Sequence, residues 1–148
     1  YQKDLPSLIQ GKFSEAGFKL VTACWLKNDR KLISEKYMVS NVEVDIYYFH
    51  ESDDQFYTYD LETDTGLSIE EELNETTVIR PYINIFTPFT LVEKQFRQRE
   101  ILFPSNYELH LKELYGSTYM IPDKSWHSNK RDARYLLESE EVELKVFR

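Results

Sequence analysis

The run Val42-Glu43-Val44-Asp45-Ile46-Tyr47-Tyr48-Phe49 constrains the fold more than any other stretch of the chain. It first alternates apolar with acidic residues, the period of a half-buried strand, and then becomes continuously apolar, as a strand does on passing deep into a covered sheet. The neighbouring segments agree with a sheet. Phe18 to Trp25 and Lys31 to Val39 read as two strands joined by the turn signal Asn28-Asp29, the simplest arrangement being a hairpin. Ahead of them, Leu5, Leu8, Ile9 and Phe13 recur at helical spacing between Asp4, a candidate N-cap, and Gly17, a candidate C-terminal stop, with Pro6 tolerable in the first turn.

Downstream, residues 51–79 hold ten acidic residues and no Lys or Arg, which predicts a strand at the aromatic start (Phe56, Tyr57, Tyr59) followed by a long acidic surface loop. Pro81 and Pro88 bracket Tyr82 to Phe86, so that stretch is expected at a sheet edge or in an extended loop and not as a central strand. Thr90 to Phe96 and Glu100 to Phe103 read as short strands around a basic turn with Arg97 and Arg99. After Pro104, Ser105 and Glu108 have the spacing of a capping box, which predicts a helix from Asn106 to about Tyr115 with Gly116 as its stop. Residues 117 to 131 read as irregular, and Arg134 to Arg148 as helix, strand or both.

The chain has 148 residues, 41% hydrophobic and 15% aromatic, which is enough apolar mass for one α+β domain with a real core. Eighteen basic against 26 acidic residues give a net charge of -8, which disfavours a non-specific footprint on nucleic acid or anionic lipid. One cysteine, Cys24, excludes an internal disulfide, and it forms no zinc-type spacing with the three histidines. No apolar run approaches the roughly 20 residues that span a bilayer. Four unclustered glycines exclude a glycine-rich phosphate loop.

Asp45 is the most informative carboxylate, because bulky apolar residues flank it and an unpaired buried carboxylate costs several kcal/mol. It either lies with Glu43 on a solvated strand face or helps to hold a divalent cation, for which one carboxylate is too few. Arg97, Arg99 and Lys94 could grip a phosphate or could form a solvated hairpin tip. The histidines His50, His110 and His127 are expected on the surface or on a helix face. Nothing favours covalent catalysis.

Two segments together resemble the LicD and fukutin family. Phe103-Pro104-Ser105-Asn106-Tyr107-Glu108-Leu109-His110-Leu111-Lys112-Glu113-Leu114-Tyr115-Gly116-Ser117-Thr118-Tyr119-Met120-Ile121-Pro122 is similar to its C-terminal signature, and Val44-Asp45-Ile46 with Tyr47-Tyr48-Phe49 resembles its second acidic strand. Tyr1-Gln2-Lys3-Asp4, Gly17-Phe18 and Pro122-Asp123-Lys124-Ser125-Trp126 resemble the fukutin branch in particular. The resemblance implies a nucleotidyltransferase-like fold, a mixed β-sheet with flanking helices, in which Asp45 is the third metal-site acid beside an Asp-x-Asp pair. It also implies Mg²⁺ (or Mn²⁺)-dependent transfer of a phosphocholine or phospho-alditol group from a CDP-linked donor to a glycan hydroxyl, with release of CMP. Arg97, Arg99, Tyr115, Gly116 and Trp126 are then candidates for lining the donor or acceptor pocket. The family's Asp-x-Asp motif is expected upstream of Tyr1, so these residues would be the C-terminal part of such a domain, inactive without the partner half. The alternative is a non-catalytic binding or scaffold module derived from the family. The expected compartment is the cytoplasm, or the Golgi lumen for a eukaryotic fukutin relative.

Overall fold

The computed structural model describes residues 4–63, 79–126 and 134–147. Among them the fold is α+β and dominated by strands. Helix α1 (Leu5–Glu15) leads to strands β1 (Lys19–Leu26), β2 (Lys31–Val39), β3 (Val42–Tyr47), β4 (His50–Ser52), β5 (Gln55–Thr63), β6 (Ile79–Phe86), β7 (Leu91–Phe96) and β8 (Arg99–Pro104). Helix α2 (Tyr107–Tyr115) and strands β9 (Arg134–Leu136) and β10 (Val142–Val146) complete it. The last stretch of the chain is thus two short strands. Most of the expected acidic loop, residues 64–78, lies outside the described residues, as do Tyr1 to Lys3 and residues 127–133, His127 among them.

The strands form sheets of order β10-β1-β2-β3 and β4-β5-β6-β9, and a ribbon of β7 and β8. Chain contacts divide into two compact units, one made of Tyr1–His50, Thr58–Ile83 and Tyr135–Arg148, the other of Glu51–Tyr57 and Asn84–Arg134. No helix among the described residues is long and apolar enough to cross a membrane.

In the first unit α1 begins at Leu5 with Pro6 in its first turn, where a proline is tolerated, and ends where Gly17 adopts φ +84°, with Phe18 N–H donating to Phe13 O at 2.9 Å. Asp4 sits at the N-cap position, yet its side chain makes no capping bond. Leu5 and Ile9 pack on the buried cluster Ala23, Leu32 and Tyr48, while Leu8 is 58% exposed and so lies off the packed stripe. Phe13 covers the next part of the sheet, its ring centroid 4.6 Å from Tyr37 and 4.9 Å from Phe18. Each large apolar side chain buried here contributes about 1.5–3 kcal/mol. The β1–β2 turn forms as expected, with Asp29 Oδ1 accepting from Lys31 N–H at 3.0 Å.

Three expectations need correction. Strand β3 does not pass deep into a covered sheet: it stops at Tyr47 on the sheet edge, with Val42 58% and Tyr47 54% exposed. Of the apolar run, Ile46 packs half-buried against the core cluster, Tyr47 and Phe49 are exposed, and Tyr48 is buried once the chain has left the strand, its N–H donating to Ile33 O at 3.2 Å. Conversely, β6 is an inner strand despite Pro81, because the proline lies near its start and its carbonyl still accepts from Leu137 N–H at 3.0 Å. The capping box at α2 does not form either: Ser105 Oγ accepts from Thr90 N–H at 3.2 Å, and α2 starts after Asn106 with no side-chain cap.

In the second unit α2 lies against the end of β6 and the segment after it. His110 packs its ring 5.0 Å from Phe86 and 5.4 Å from Phe89, and Glu113 Oε1 accepts from Thr87 Oγ1 at 2.6 Å and from Thr87 N–H at 3.1 Å. The helix-face expectation for His110 is met.

Candidate functional site

Antiparallel pairing of β2 with β3 sets Lys36 opposite Asp45 and Met38 opposite Glu43. Alternation then puts Glu43 and Asp45 on one face of the edge strand. Lys36, whose side chain is only 15% exposed, serves both: its Nζ is 3.5 Å from Glu43 Oε2 and 3.9 Å from Asp45 Oδ1. Asp45 itself is 47% exposed, so of the two readings of this residue the local geometry is that of the solvated face. Pairs this open are worth at most about 1 kcal/mol. Among the described residues no group of three or more His, Cys, Asp or Glu comes together as a metal site. The carboxylates of Asp45 and Glu43 are hard oxygen donors of the type that Mg²⁺ takes, and they remain open to solvent.

Behind this strand lies a carboxylate that reading the sequence did not single out. Glu35 of β2 is 1% exposed and accepts from Gln10 Nε2 at 2.5 Å, from Tyr37 OH at 3.2 Å and from Tyr48 OH. Its signal was its register, since Ile33, Glu35 and Tyr37 fall on the same inward face of β2. Burial raises the pKa of Tyr37, and the charge and hydrogen bond of Glu35 raise it further, so the phenol stays a donor. Glu35 thereby ties together α1, β2 and the residue that follows β3.

His50 also departs from expectation. It is 3% exposed and not on the surface, with its ring 5.6 Å from that of Tyr59. Burial, then the charge of Lys31, lowers its pKa to about 4. Lys31 is held 3.1 Å from Asp29 and 3.5 Å from Tyr59 OH.

The remaining candidates lie in the second unit, in two places. Tyr115, Gly116 and Trp126 come together at the end of α2, with the rings of Tyr115 and Trp126 4.9 Å apart at 57°. The turn between them is built by Gly116 at φ +83°, by Ile121 N–H donating to Thr118 O at 2.8 Å, and by Asp123 Oδ1 accepting from Ser125 Oγ at 2.7 Å and Ser125 N–H at 2.8 Å. Tyr115 is 44% exposed, which leaves part of this aromatic pair open to a ligand. A Cβ at Gly116 would meet nothing within 4 Å, so backbone conformation and not room demands glycine there. With ψ 177° beside that φ, Gly116 lies in a region that only glycine enters readily, and Gly116→Ala is expected to cost about 1–3 kcal/mol. Gly11→Ala, in the body of α1 and equally open, should gain about 0.5–1 kcal/mol. Urea midpoints moving in opposite directions check both.

Arg97 and Arg99 are on the exposed turn of the β7–β8 ribbon, Arg97 at φ +55° with its guanidinium 5.7 Å from the Phe96 ring centroid. Lys94 does not join them: its Nζ sits 4.0 Å over the ring of Tyr107. No family model, no curated protein and no solved structure matches this chain.

Proposed function

We propose that this chain is part of a LicD-like, CDP-dependent phosphotransferase in which Asp45 supplies one carboxylate to a Mg²⁺ (or Mn²⁺) centre. The observation that carries the proposal is the setting of Asp45: an accessible carboxylate on an edge strand, beside a second acid, with Lys36 of the neighbouring strand reaching both. It is supported by the folding of the Tyr115-Gly116 to Trp126 segment into one turn that presents an aromatic pair.

In this proposal Asp45, with Glu43 beside it, faces the metal, and the other acids belong to the Asp-x-Asp strand that the resemblance implies. A bound divalent ion would neutralise the donor phosphates, so the chain's own task is positioning and charge. Lys36 holds the two carboxylates on one side of the strand and limits their mutual repulsion. Within the second unit, the Tyr115–Trp126 pair is by itself an apolar platform of the kind on which a base or a sugar ring stacks.

Calorimetric titration with Mg²⁺ or Mn²⁺ in the presence of CMP, for the native chain and Asp45→Asn, tests the proposal. Metal-dependent binding is expected in the native chain and not in the variant, with stability unchanged within about 0.5 kcal/mol because the site is exposed. Equal binding by both proteins removes Asp45 from the site. Binding by neither would mean that the site needs the Asp-x-Asp strand or that the chain is the non-catalytic module derived from the same family.

A further inference from the structure

The far end of the β7–β8 ribbon combines features that an isolated surface turn has no use for. Cross-strand pairing puts Val92, Lys94 and Phe96 on one ribbon face with Phe103, Ile101 and Arg99. The base of that face is covered, since Phe103 packs 5.8 Å from Tyr107 and Lys94 lies over the same ring. Its outer end is not: Phe96 is 57% exposed, Arg99 stands opposite it, and Arg97 occupies the turn. Among the described residues neither arginine has an ion-pair partner, although Glu93 and Glu100 are close in sequence and the chain has 26 acidic residues against 18 basic ones.

The geometry points to the Phe96–Arg99 turn as an anchor for an anionic phospholipid surface, with Phe96 entering the interface and the Arg97 and Arg99 guanidiniums meeting lipid phosphates. A small inorganic anion such as phosphate would satisfy the arginines but leave Phe96 in water. The membrane interface takes both an aromatic ring and flanking cations. The net charge of -8 does not forbid this. Strands of six residues run about 20 Å, and screening at physiological salt acts within about 8 Å, so the lipid meets the local positive charge of the tip. Two arginines and one phenylalanine give weak, reversible attachment, suited to holding the protein near lipid-borne molecules and not to fixing it there. The inference goes beyond the proposed transferase function and does not depend on it.

Co-sedimentation of the full chain with phosphatidylcholine vesicles, with and without phosphatidylserine, at low and high salt, tests it. Binding is expected only with phosphatidylserine present and should fade at high salt. Arg97→Gln with Arg99→Gln should lower the partition coefficient about twenty-five-fold, at roughly fivefold for each arginine, with the far-ultraviolet dichroism unchanged. In Phe96→Trp the indole emission should shift to the blue only with phosphatidylserine vesicles. The inference is overturned by native protein that stays in the supernatant, by a double variant that binds as well as native, or by an indole emission in Phe96→Trp that vesicles do not move. Capture by single-stranded RNA in place of vesicles, lost in the double variant, would also overturn it by assigning the turn to another class of partner.

Discussion

Glu35→Ala should destabilise the protein by about 3–5 kcal/mol, because it strands two buried hydroxyl donors at about 1–3 kcal/mol each. Three donors from three parts of the chain converge on this carboxylate: the amide of Gln10 and the hydroxyls of Tyr37 and Tyr48. Tyr37 is 1% and Tyr48 2% exposed, so water cannot replace the lost acceptor without opening the core beneath α1. Glu35→Gln, which keeps the shape and one acceptor oxygen, should cost about half as much. The combination Glu35→Met, Tyr37→Phe, Tyr48→Phe should recover much of the loss, since it removes the stranded hydroxyls together with their acceptor. Urea unfolding at fixed pH measures all three. A loss under about 1 kcal/mol for Glu35→Ala would show that the hydroxyls find other partners cheaply and that the network does not hold α1 and Tyr48 in place.

Stability should also fall as pH is lowered from about 6.5 to about 4, and His50 accounts for the sign. In the folded chain burial, aided by the Lys31 charge, keeps His50 neutral down to about pH 4, while nearby Asp29 and a hydrogen bond with the Leu32 backbone oppose the shift. The unfolded chain takes up that proton near pH 6.5. Between the two values unfolding binds a proton, so acid favours the unfolded state; the contribution, about 3 kcal/mol, is complete above pH 6.5 and gone below about pH 4. Carboxylates titrate at the acid end of the same window, and comparison with His50→Phe isolates the histidine. The variant should lose less stability than the native protein over that window, and identical pH profiles for the two would sink the assignment.

The parts of the fold that were legible in the sequence are those set by local periodicity. The β1–β2 hairpin, the β7–β8 ribbon, α2 and the alternation of Glu43 and Asp45 all follow from side-chain spacing and turn residues. What was not legible depends on which segment becomes a neighbour. The depth of β3 was misjudged because no periodicity tells an edge strand from a covered one. Pro81 counted against an inner strand, yet the sheet needs only its carbonyl. Ser105 had the spacing of a cap, but the Thr90 backbone competes for its hydroxyl. Glu35 looked like one polar residue among several, because its partners lie 25 residues before it and 13 after it. The same holds for the candidate site. Tyr115, Gly116 and Trp126 were expected to act together and are brought together by turns legible in part from glycine and proline, whereas that Lys94 leaves the basic turn for the ring of Tyr107 depends on a helix the local sequence does not place beside it.

The pairing of β1 with β10 has a consequence for how the chain is made. Thr22 to Leu26 bond to Val142 to Val146, so the sheet's fourth strand lies more than a hundred residues along the chain from its partner. During synthesis β1 can pair with β2 almost at once, but its other edge, with the buried side chains of Ala23 and Cys24 on that strand, must wait until residue 146 has left the ribosome. Closing so long a loop is slow, and an open apolar edge invites pairing with other nascent chains. Completion of this sheet is therefore a late event, and the interval before it is when the protein is most in need of a chaperone.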